Sequence, residues 1–149
     1  MADTVLFSES YGSVLVDEQV PCVITQWHGF ANQQQFRALQ GFALDYFEQR
    51  STPARPWGWV GDVRQMSAIP QAVQEWLRDE FNPRATAAGL REVSVVLAES
   101  VLGQLATQQY ADRTAQAVTK GSYELRTAYY PTLAEAKQGA RQSLAQTAG

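Results

Sequence analysis

The sequence predicts an α/β fold, with a mixed sheet opened by an antiparallel N-terminal hairpin or meander and about four helices packed against it. Three observations predict this. Short β-branched and aromatic runs come first, helical periodicity begins only near Asn32, and apolar strand-like runs then alternate with helical ones to the end of the chain. Strands joined through helices need crossover connections, so the centre of the sheet is expected to be parallel and the opening hairpin to form an antiparallel edge. Three strand candidates precede any helix, which excludes a helix-first α+β order. At 149 residues the chain reads as one domain, 1–149, long enough to bury about two thirds of the surface its unfolded form exposes.

Residues 4–10 and 13–16 flank Tyr11-Gly12, and 20–27 follow the polar turn Asp17-Glu18-Gln19, which reads as a meander. From Asn32 to about Gln49, Phe36, Leu39, Ala43, Tyr46 and Phe47 share one helical face, and Asn32 with Gln35 forms a capping box. Pro53 and Pro56 then mark a surface connection. Residues 57–63 are an apolar strand ending in Asp62-Val63-Arg64, followed by a loop, 62–67, and a second helix. On that helix Ile69, Val73, Trp76, Leu77 and Phe81 make an apolar stripe, with Pro70 near the first turn and a kink or fresh turn expected at Pro83 before Gly89. The Val-rich run 91–98 is a strand covered on both faces and central in the sheet. Ser100 can cap a third helix over 101–118 whose inward positions are Leu102, Leu105 and Ala106. Residues 123–130 form the last strand, and Thr132 with Glu135 boxes the start of a terminal helix that turns Leu133, Ala136, Ala140 and Leu144 inward.

Composition narrows the function classes. Hydrophobic residues are 45% and charged residues 18% of the chain, as in an ordinary folded domain. A net charge of −3, with 12 basic residues scattered along the sequence, gives no footprint for nucleic acid or for anionic lipid. Cys22 is the one cysteine and sits in an apolar run, where it reads as a small buried hydrophobe. No apolar run is long enough to cross a membrane and the first residues lack a basic, apolar leader, so a cytoplasmic location is expected. One histidine and one cysteine cannot supply the three or four ligands of a zinc or transition-metal site, and neither metal nor cofactor is expected.

The carboxyl ends of the strands, where ligands of open α/β sheets bind, gather His28, Gly29, Asp62, Arg64, Glu99 and Ser100. A carboxylate on one imidazole nitrogen would make His28 an oriented base, with Ser67 or Ser100 as nucleophile, yet no spacing requires these groups to meet. Trp27, Trp57 and Trp59 suggest either a stacking platform or core filling; Trp57 and Trp59 share a face by the two-residue period, and Trp76 reads as core. Arg78, Arg84 and Arg91 are balanced by Glu75, Asp79, Glu80 and Glu92, and Glu80 precedes Arg84 by the four residues of a helix-surface ion pair.

The series Trp27-His28-Gly29-Phe30, Trp57-Gly58-Trp59-Val60-Gly61-Asp62, Trp76, Phe81-Asn82-Pro83-Arg84 and Gly89 before a valine-rich strand resembles the small bacterial STAS-like proteins. These are stand-alone relatives of the domain shared by sulfate transporters and anti-sigma-factor antagonists. The resemblance runs from about Val14 to Gln142 and implies a layered STAS-like domain that is not an enzyme. In the antagonists a strand-end acid leads into Asp-Ser-Ser-Gly, whose serine is phosphorylated. Asp62 matches the acid and Ser67 is the nearest hydroxyl, but the motif is replaced by Gln65-Met66-Ser67-Ala68-Ile69-Pro70. A phosphate on Ser67 would be favoured beside Arg64 at a helix N-terminus.

The expected function is therefore a non-catalytic interaction module that binds a protein partner or a second copy of itself as a homodimer, through the second helix and the loop 62–67. The alternative is a small-molecule or lipid-binding domain with an apolar pocket at the carboxyl edge lined by Trp27, His28 and Trp57. A small hydrolase using His28 and Asp62 is the third reading.

Overall fold

Six strands form one sheet in their order along the chain: β1 (Thr4–Glu9), β2 (Gly12–Asp17), β3 (Cys22–Gly29), β4 (Gly58–Met66), β5 (Glu92–Val96) and β6 (Arg126–Tyr130), in a computed structural model that describes residues 3–148. The first three strands pair antiparallel and the last three parallel steps follow, β3 to β4 to β5 to β6. Each parallel step carries a helical crossover. These are α1 (Gln33–Arg50), then α2 (Gln71–Trp76) continuing through a π turn (Leu77–Phe81) into α3 (Asn82–Ala87), then α4 (Val101–Thr119). A last helix, α5 (Leu133–Ala148), follows β6.

The two-residue period divides the sheet into two unlike faces. Val23, Trp27, Trp59, Val63, Val93 and Val95 pack with Phe36, Leu39 and Phe47 of α1, Val73 of α2, Phe81 and Tyr110 of α4 in the larger core. Within it Trp27 stacks on Phe36 at 4.1 Å, and Trp59 meets Phe81 edge-on at 4.9 Å. Cys22, Ile24, Val60 and Val96 face the other way and are covered by Ala136 and Ala140 of α5. α5 approaches closely because Gly58 has no side chain; a Cβ there would lie 2.9 Å from the Cβ of Ala140. Cys22 is fully buried, and its burial, with Asp17 nearby, pushes the thiol up to about 12, so it serves as an inert core residue.

The caps behave as the sequence implies. The Asn32 side chain accepts from the Gln35 N–H while Gln35 accepts from the Asn32 N–H, and Thr132 accepts from the Glu135 N–H. Pro83 is accommodated without a break. Asn82 N–H donates to the Leu77 carbonyl five residues back, and the next donor in that register would be the missing N–H of Pro83. The Tyr123 hydroxyl donates to the orphaned Arg78 carbonyl instead, at 3.2 Å. Asn82 itself is held by Tyr110, Thr114 and Tyr123, so a buried polar network ties the π turn to α4.

Five local expectations need correction. β4 does not end at Val63 but runs to Met66, because Gln65 and Met66 still pair with His28 and Gly29 of β3; residues 62–66 are strand, not loop. Trp57 precedes β4, half-buried against Tyr46 and Arg50, and only Trp59 occupies the strand face. β5 lies one strand in from the edge rather than at the centre, although all five of its residues are buried. Leu102 and Leu105 point outward from α4, whose buried stripe is Gly103, Ala106, Thr107, Tyr110, Thr114 and Ala117. A Cβ on Gly103 would run into the Met66 carbonyl oxygen and come within 2.9 Å of the Ala98 Cβ, so the helix sits too near the strand ends for leucine. Finally, Arg84 pairs with Asp45 and Glu48 across the groove on α1 instead of with Glu80 on its own helix.

Candidate functional site

The carboxyl ends of β3, β4 and β5 enclose a polar pocket of about 180 Å³ lined by Gln26, Trp27, His28, Asp62, Arg64, Gln65 and Glu99. Strand alternation brings most of it together. Gln26 and Asp62 are register partners on β3 and β4, on the face covered elsewhere by α5. Between Gln26 and His28 the register slips by one residue, so that His28 pairs with Gln65. Such a bulge re-aims side chains at a sheet edge.

Asp62 is the fixed point. It is only 2% exposed, and its carboxylate accepts from Arg64 Nε at 2.8 Å and Nη2 at 2.6 Å, from Gln26 Nε2 at 3.0 Å and from the Arg64 backbone N–H at 3.3 Å. Burial pushes the carboxyl up, but the Arg64 guanidinium and the Gln26 amide outweigh burial and hold it below the ordinary carboxylate range. Asp62 in turn raises Arg64, whose side chain remains partly open to solvent. The Glu99 N–H donates to the Arg64 carbonyl at 3.0 Å and brings a second, exposed carboxylate to the rim.

His28 does not meet Asp62. Its Nδ1 lies 3.1 Å from Gln65 Oε1, an atom that only accepts, so Nδ1 is the donor of that bond. Asp62 is committed to Arg64 and Gln26, and the oriented-base arrangement required of a hydrolase is not formed. Ser100 is a helix cap whose hydroxyl accepts from the Gly103 N–H and donates to the Met66 carbonyl, which removes it as a nucleophile.

The other expected residues divide sharply. Trp27, His28, Asp62 and Arg64 share the pocket; Trp57 and Ser67 do not line it. Trp57 lies at the amino end of β4, so it cannot join His28 in an apolar pocket at the carboxyl edge. Ser67 follows β4 with its N–H bonded to the Gly29 carbonyl, three residues before Pro70, the N-cap of α2. Gln26 and Gln65 were not singled out in the sequence. Gln26 was legible as the residue two before His28 on the same strand face, whereas Gln65 depends on the bulge.

An apolar surface adjoins this pocket. Val101, Leu102 and Leu105 on the first turns of α4 are 78%, 56% and 53% exposed, and Leu97 and Phe30, at the ends of β5 and β3, are also open to solvent. Val101 and Leu105 are one helical turn apart, with Leu102 three residues before Leu105. Among the described residues no group of three or more His, Cys, Asp or Glu side chains is placed to hold a metal ion, and no helix is long and apolar enough to cross a membrane. No protein-family model, curated protein or solved structure matches the chain significantly.

Proposed function

We propose that this chain is a non-catalytic, STAS-like interaction module that binds protein, a second copy of itself or a separate partner, through the carboxyl edge of its sheet. The observation that carries this reading is α4, which turns Val101, Leu102 and Leu105 outward beside the polar Asp62–Arg64 pocket instead of burying them. A cluster of large exposed side chains around a few charged groups is the composition of a protein interface, with an apolar centre and a polar rim. The chemistry of the pocket supports binding over turnover: its buried carboxylate is neutralised by Arg64 and its imidazole is held by an amide. The sequence resemblance to STAS-like proteins and the mixed sheet with one helix per parallel crossover agree with the same reading.

Sedimentation velocity and native mass spectrometry of the wild type and of a Val101→Asp/Leu105→Asp variant test it. The proposal expects a dimer or a stoichiometric protein complex for the wild type and a folded monomer for the variant. A wild type that is monomeric and carries no partner when isolated from its own host would contradict it.

A further inference from the structure

Gly61 sits in the middle of β4, buried, on the face that packs against α1, the π turn and α4. Its neighbours on that face are Trp59 and Val63. A glycine inside a strand weakens it and gives up a packing contact, and it persists where backbone must stay clear of something. Here a Cβ built on Gly61 meets no atom within 4 Å, so the missing side chain leaves open space rather than relieving a clash. That space belongs to a cavity of about 60 Å³ whose walls include Trp27, Phe36, Trp59, Leu77 and Phe81.

One polar atom in this wall is unanswered. Gln40 of α1 is 6% exposed and lines the cavity, and its Oε1 has no hydrogen-bond partner. The other polar side chains of the wall are engaged: the Thr25 hydroxyl accepts from Trp59 Nε1, Thr107 donates to the Gly103 carbonyl, and the Tyr110 hydroxyl donates to Asn82. A buried acceptor left unsatisfied is costly. Water alone suits this wall poorly, since an ordered buried water makes about three hydrogen bonds and the lining is mostly hydrocarbon. The volume is several times the ~15 Å³ that one water needs and below the ~150 Å³ of a cavity that takes benzene, which sets the size of the occupant. Every lining residue is buried except Ile69, so entry lies past that side chain.

We infer that the space under Gly61 is a binding site for a small apolar molecule carrying one hydrogen-bond donor, a short-chain or small-ring alcohol in chemical class, with its hydroxyl on Gln40 Oε1 and its carbon skeleton over Gly61. This site is separate from the proposed protein-binding edge, and its test leaves Val101 and Leu105 untouched.

Amide chemical shifts of the wild type, Gly61→Ala and Gln40→Leu proteins, titrated with 2-propanol and with acetone, provide that test. The two probes match in size and solubility, but only the alcohol donates. The wild type is expected to saturate with both, 2-propanol binding about fivefold more tightly, with shifts centred on Gln40 and Gly61. Gln40→Leu should erase the preference while still binding both probes, and Gly61→Ala, by filling the space, should weaken both about tenfold or more. Shifts that never saturate in the wild type, or affinities that Gly61→Ala leaves unchanged, would overturn the site. Equal affinity for alcohol and ketone in the wild type would overturn the role of Gln40.

Discussion

Gly61 and Asp62 are neighbours on one strand, yet they face opposite layers and create opposite kinds of space. On the helix side of the sheet, Gly61 leaves a small apolar cavity with an unmet acceptor in its wall. On the other side, Asp62 gathers four hydrogen bonds and nearly fills its own requirement. The buried carboxylate of the polar pocket is therefore satisfied by its own neighbours. The apolar cavity is incomplete without an occupant. Conspicuous polar residues drew attention in the sequence, whereas the residue that opens the cavity has no side chain at all.

The largest effect that can break this comparison comes from the polar side. Arg64→Ala leaves the Asp62 carboxylate buried with Gln26 as its remaining side-chain partner, and urea denaturation should show a loss of about 3 kcal/mol, the low end for a broken buried pair because Arg64 is partly exposed. A loss within a few tenths of a kcal/mol would mean that the pocket is loosely organised. The same pair predicts a pH dependence. The folded Asp62 holds its proton less tightly than an unfolded carboxyl, so its contribution is full above about pH 4, the ordinary carboxylate range, and disappears as pH falls through the lower folded value. Asp17, lowered by Lys137 and Gln19 against the opposing effect of burial, adds to the same acid loss. In Arg64→Ala the stability curve between about pH 4 and pH 2 should be visibly flatter than in the wild type.

The glycines sharpen the contrast. Gly103→Ala forces a Cβ against the Met66 backbone and should cost about 2 kcal/mol, because α4 must lift from the strand ends. Tyr123→Phe, which strips the donor from the Arg78 carbonyl at the π turn, should cost about 1 kcal/mol in the same assay. At the small end, Leu105→Glu should shift stability by less than about 0.5 kcal/mol, as for an exposed position, while abolishing association.

The order of elements was readable because it rests on periodicity and on punctuation by Asn32, Pro53, Pro56 and Gly89, all of which are local. Long-range geometry was not. β4 looked finished at Val63 because Arg64 and Gln65 are polar, and only pairing with β3 extends the strand to Met66. Leu102 and Leu105 looked like core because hydropathy does not record that Gly103 brings the α4 backbone against the sheet. In the candidate site, the meeting of His28, Asp62, Arg64 and Glu99 followed from the rule that strand ends converge. The partners that decide their chemistry, Gln26 for Asp62 and Gln65 for His28, come from register and a bulge.

The denaturation midpoint of Gly61→Ala against the wild type, measured without any added ligand, tests the difference between the two sides of β4 most directly. With open space over Gly61, the added methyl should raise stability by about 0.5–1 kcal/mol at an unchanged denaturant slope. A fall in stability of similar size would show that the space is closed in solution and that both sides of the strand are equally filled.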